Sequence, residues 1–269
     1  LFPIGRLKTG YLMLSGLFDR QPLLDEDYAG WIFDVYAWAM RNFDPIMFRD
    51  ETLLVTPTNQ HFPGRAKNHE EMANMILERV LAYAGMSHWP LKLLPPGSCV
   101  LEPSTEVQVI SGVRGSRAVA ASESSASLTL GYDPDYLNNP ELTIALFAHG
   151  LAYYLGRSAV EPPPGGSENW PYVTEIVAVF LGFGLMFANT ALIFPRGGCC
   201  GGPVVQRRAS LSQHDITYAL AIFAALKGLP QKDVVRYLKK SLRGHFKQEL
   251  REVKGRYTLR LKEIEQYYK

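Results

Sequence analysis

Residues 141–156 read ELTIALFAHGLAYYLG, and the run together with its flanks decides the expected architecture. Pro140 suits a first helical position, where its missing N–H costs nothing, and Glu141 beside it favours the positive end of the helix dipole. Upstream, SLTLGY (127–132) alternates as a strand does, and the turn formers of 133–139 separate it from the helix. Downstream, EPPPGGSENWP (161–171) has no helical potential. Its Pro171 can open a second helix, carrying Thr174, Glu175 and the uncharged run 176–194.

Residues 25–42 place apolar side chains at helical spacing behind an acidic start, and 69–85 form another helix closed by Gly85. ETLLVTP (51–57) reads as a strand, with the turn-rich TPTNQHFPG overlapping its end. Between 91 and 132 the segments LKLLP, VLEPSTEVQVISG and SLTLGY suggest a small antiparallel sheet, with the small-residue stretch AVAASESSA before the last of them. Near the C-terminus, Ser212 with Asp215 matches a capping box, Gly228 ends that helix and Pro230 starts another. The expectation is an α+β protein, one domain over 1–269, with a mixed α/β half (1–135) and a helical half (136–269).

Composition excludes little. A chain with 47% hydrophobic residues, 20% charged residues and a net charge of +2 is an ordinary globular protein. Residues 227–269 hold 13 Lys or Arg against 5 Asp or Glu, but acids and bases are mixed there as on a solvated helix face, so no strong nucleic-acid signal results. The run 176–194 has nearly the length of a bilayer span. Asn189, Gly182, Gly184 and the preceding Glu175 favour a buried core helix instead. Three cysteines make no disulfide framework, which points to a reducing, cytoplasmic setting.

Within 141–156, His149, Gly150 and Tyr153 occupy the spacing of H-E-x-x-H. In that motif two histidines four apart clamp a metal from one helical face, and the glutamate takes a proton from metal-bound water. Only the first histidine is present here. Glycine cannot act as a base, and tyrosine is a poor substitute for imidazole as a zinc ligand. A core histidine is the simplest role for His149, whose neighbours are apolar, and helix-dipole stabilisation is the simplest role for Glu175. Gly150 costs about 1 kcal/mol against alanine inside a helix, so a close approach by a neighbour or ligand is one reason for its presence.

Taken together, SLTLGYDPDYL, ELTIALFAHGLAYYLG and ENWPYVTEIVAVFLGFGLMFANTA resemble the glutamate-zincin type of bacterial metallopeptidase-related protein, over about residues 127–195. The resemblance implies a zincin-like helix pair. It places His149 at the first metal histidine, Glu175 at the downstream acidic ligand, Gly150 at the catalytic glutamate and Tyr153 at the second histidine. No catalytic residue carries over, and His149 and Glu175 are metal ligands only where zinc is retained.

Two readings follow. In the first, the chain is a pseudo-peptidase, a binding or structural module for a protein or peptide partner. Tyr153 then links to Glu175 or His149 in place of the ion. In the alternative it is a metal-dependent hydrolase with an altered ligand set around His149 and Glu175, completed by Cys199, Cys200 or His214. His61, His69, His88 and His245 read as isolated surface or loop residues.

Overall fold

The computed structural model describes residues 22–94, 114–115, 128–191 and 210–269. Ten α-helices are found among them: α1 Glu26–Asn42, α2 Pro45–Asp50, α3 His69–Ala84, α4 Pro140–Arg157, α5 Trp170–Ala178, α6 Gly184–Thr190, α7 Gln213–Leu226, α8 Gln231–Val235, α9 Lys240–Arg256 and α10 Thr258–Glu265.

Local chemistry sets several of their ends. The Asp25 carboxylate accepts from the N–H groups of Asp27 and Tyr28, the Asn68 side chain from Glu71, and the Asn139 side chain from Leu142. Ser212 and Asp215 form a reciprocal capping box on α7. Gly85 closes α3 in the left-handed conformation.

The α+β expectation is overturned. Of the described residues 67% are helical and 3% lie in strands. β1 (Leu91–Leu93) and β2 (Leu128–Leu130) form a two-stranded parallel sheet, with Leu91 beside Leu128 and Leu93 beside Leu130. Alternating side chains identify a strand but not the direction of its partner. The expected strand within 100–112 and the stretch AVAASESSA lie outside the described residues. Residues 51–57 join no ladder. Instead the Val55 N–H donates to the Gly182 carbonyl at 2.9 Å, so the segment pairs with a break in a helix.

That break divides the uncharged run. α5 leads into a wide π-type turn over Val179–Phe183, in which Gly182 adopts φ 99° and ψ 2°, and α6 continues beyond it. The loosened ladder frees the Gly182 carbonyl for Val55, and a β-carbon on residue 182 would lie 2.0 Å from the Leu53 carbonyl oxygen. Glycine is therefore required twice over, by backbone angle and by space. The helical stretch 167–190 is apolar and long enough to cross a bilayer, and 89% of its most apolar window is buried inside the fold. Residues of α4, α7 and the 53–55 segment cover it.

One core of buried side chains runs from Ala29 to Tyr268. At its centre Phe48 stacks on Phe180 at 4.6 Å and meets Phe223 edge-on at 5.7 Å. Complete burial of such a side chain contributes about 1.5–3 kcal/mol. Arg114 enters this core fully buried, donating to Thr52 Oγ1 at 2.5 Å with its guanidinium 5.2 Å from the Phe180 ring. Burial pulls its pKa down to about 9. The proline-rich loop after α4 is tied to α1. The indoles of Trp31 and Trp38 donate to the carbonyls of Pro164 and Glu161, and Asn42 Oδ1 accepts from the N–H groups of Val160 and Glu161.

Candidate functional site

α4 carries His149, Gly150 and Tyr153, and α5, packed against it, carries Glu175. Two packed helices thus carry the four marked residues. What its four marked residues touch differs from position to position.

His149 is half-buried between Ala148 and Gly150, its ring stacked 6.5 Å from Phe187 of α6 with 21° between the planes. Gly150 sits under the sheet. A β-carbon there would come within 2.4 Å of Leu130 Cδ2, so the small residue lets β2 lie against α4. This contact accounts for a mid-helix glycine without any catalytic history.

Tyr153 lies on the outer face of α4, 38% exposed. Its hydroxyl accepts a long 3.4 Å hydrogen bond from Arg157, whose guanidinium also stands 5.8 Å from the ring centroid. The link expected between Tyr153 and either His149 or Glu175 is therefore not formed. One helical turn separates Tyr153 from His149, but the side chain follows the solvent-facing edge toward Arg157.

Glu175 is fully buried. Its Oε1 accepts from the Ser210 N–H at 3.2 Å and its Oε2 from the Leu211 N–H at 3.0 Å. Both N–H groups precede Ser212, the cap of α7, so the carboxylate fixes how the chain approaches that helix. A buried carboxylate needs such donors, and two backbone N–H groups are a good match. Tyr28 lies nearby, its phenol pushed upward by burial first, then by Asp215, Tyr172 and Glu175.

Among the described residues no group of three or more His, Cys, Asp or Glu side chains is placed to hold a metal ion. Cys199 and Cys200, the expected substitute ligands, lie outside the described residues. His214, the third, stands at the start of α7 and faces His245 of α9, with ring centroids 4.3 Å apart and planes at 64°. The reading of His245 as isolated is thereby corrected. His61 is likewise not a free surface residue, since its Nδ1 accepts from the Thr56 N–H at 3.2 Å and lies 2.6 Å from Thr56 Oγ1.

An open cavity of about 730 Å³ lies at the start of α3. Asn68, His69, Glu70 and Asn74 form its polar wall, and Leu93, Leu94, Tyr132 and Pro134, at the ends of β1 and β2, form the rest. Desolvation raises the Tyr132 phenol pKa, with Glu70 adding to the effect. Sequence reasoning placed no function here, because the wall is built from segments about 60 residues apart and carries no motif.

A second feature it missed is Glu249, a buried carboxyl on α9. Its Oε1 accepts from Thr217 Oγ1 at 3.0 Å while its Oε2 has no hydrogen-bond partner among the described residues. Burial pushes its pKa up to about 8, and Glu252 and Asp215 reinforce the shift against the opposing Thr217 bond. The only signal in the sequence was one acid on an otherwise apolar stripe of the last long helix.

No protein-family model matches the chain, and neither the curated proteins nor the solved structures contain a significant match.

Proposed function

We propose that this chain acts by binding and not by hydrolysis, as a helical pseudo-peptidase whose zincin-like helix pair has become structural. The observation that carries the reading is Glu175: both of its oxygens accept backbone N–H groups at the approach to α7. Gly150 offers no base and is filled against by Leu130, and Tyr153 turns outward to Arg157. Without the base alone, hydrolysis by this route would lose a factor of roughly 10² to 10⁴.

The bound partner is a protein or peptide segment, and the cavity at the start of α3 is the place for it. Its volume of about 730 Å³ lies within the range of small-ligand sites. Its polar wall of Asn68, Glu70 and Asn74 can pair with the backbone of an extended segment, while Leu93 and Tyr132 offer apolar contact.

Elemental analysis of the tag-free protein tests the reading, with His149→Ala and Glu175→Gln prepared beside it. The expected result is a metal content that neither substitution changes, and no cleavage of a peptide library. Near-stoichiometric zinc lost in both folded variants, together with zinc-dependent cleavage, would overturn it in favour of a hydrolase with an altered ligand set.

A further inference from the structure

The pairing of His214 with His245 is independent of the altered motif. Both side chains are exposed, one on the first turn of α7 and one on α9, where the two helices pack along each other. The ring centroids are 4.3 Å apart. Two nitrogens bound to one tetrahedral zinc stand about 3.3 Å apart, given Zn–N distances near 2.0–2.1 Å. The two exposed rings would have to turn about their side-chain bonds to present nitrogens at that spacing.

Glu249 lies one helical turn beyond His245, and its Oε2 is buried without a hydrogen-bond partner among the described residues. Thr217 Oγ1 bridges the two helices here, donating to the His214 carbonyl at 2.9 Å or to Glu249 Oε1 at 3.0 Å.

The geometry points to a site for a divalent transition metal ion of the zinc class, held by His214 and His245, with water completing the shell. Imidazole pairs suit zinc, nickel and copper, and water in the open positions makes the site exchangeable.

Zinc titration calorimetry on the full chain at about pH 7.5 tests this by comparing wild type with His214→Ala, His245→Ala and the double variant. Both rings are exposed, so far-ultraviolet circular dichroism should be unchanged. Each single variant is expected to weaken one zinc equivalent by roughly tenfold or more, and the double variant to lose that equivalent. Addition of zinc should also shift the Hε1 proton resonances of both histidines in the wild-type protein. Unchanged zinc binding in the double variant would assign the ion to Cys199, Cys200 or another site and overturn the proposal, as would no zinc binding in the wild type. Neither result bears on the binding function proposed above, because zinc at this pair is independent of His149 and Glu175.

Discussion

Gly182→Ala is expected to be among the most damaging small substitutions in this protein. The residue stands at φ 99° and ψ 2°, which costs an alanine about 1–3 kcal/mol. The added β-carbon would lie 2.0 Å from the Leu53 carbonyl oxygen, a backbone atom that cannot rotate away. Relief requires the 53–55 segment to withdraw, which breaks the Val55 N–H bond to the Gly182 carbonyl. A buried N–H left unpaired adds about 1–3 kcal/mol. Alanine restricts the unfolded chain and returns only about 0.4–1 kcal/mol. The net loss is therefore about 3 kcal/mol. With a urea m-value near 3 kcal/mol/M, the midpoint should fall by about 1 M. Gly244→Ala is the control: the site is on the exposed face of α9, with nothing within 4 Å of the added carbon. It should gain up to about 1 kcal/mol from helix propensity. Both are read by urea unfolding followed by far-ultraviolet circular dichroism. A Gly182→Ala midpoint within about 0.2 M of wild type would refute the account of the helix break.

Glu175→Ala should destabilise by about 2–4 kcal/mol, since it strands the buried Leu211 N–H and the part-buried Ser210 N–H. Hydrogen exchange should show Ser210 and Leu211 losing protection. Tyr153→Phe should change stability by less than about 0.5 kcal/mol, because only a 3.4 Å surface bond is lost. A thermal melt that drops by several degrees would mean the hydroxyl has an inward partner after all. Glu249 predicts a pH dependence with a definite sign. Its folded pKa, about 8, is above the ordinary carboxyl value, so the folded state holds a proton that the unfolded state has released between about pH 4.5 and 8. The contribution is fully favourable below about pH 4.5 and is lost as pH rises toward 8. Glu249→Gln should flatten that decline, gaining stability on the order of a few kcal/mol at about pH 8 relative to its difference from wild type at about pH 4. Parallel stability curves for wild type and the Glu249→Gln variant from about pH 4 to 9 would show that the carboxyl does not titrate in this range.

Of the candidate site, the helix pair was legible in the sequence and the roles of its residues were not. Pro140 and Glu141 announce α4, and Pro171 announces α5, through chemistry that acts within one turn. The histidine at 149 and the carboxylate at 175 could be placed on those helices for the same reason. Spacing alone suggested that Tyr153 closes a link with them, but a residue one turn away can lean along either edge of its helix, and Arg157 on the outer edge decided it. His214 and His245 are 31 positions apart (245 − 214), so their meeting depends on how α7 and α9 pack.

Sequence by itself determined where α1, α3, α4 and α7 start, because caps and prolines are satisfied by partners within about four residues. It also determined that the uncharged run would need covering, since its apolar surface is written in composition. Tertiary structure decided what covers it, that the run breaks at Gly182 to accept Val55, that Gly150 admits Leu130, that the two strands run parallel and that Glu175 receives the chain before α7. Each of these depends on groups brought together from distant parts of the chain. Residue type states what a side chain can do, and only packing states which partner it finds.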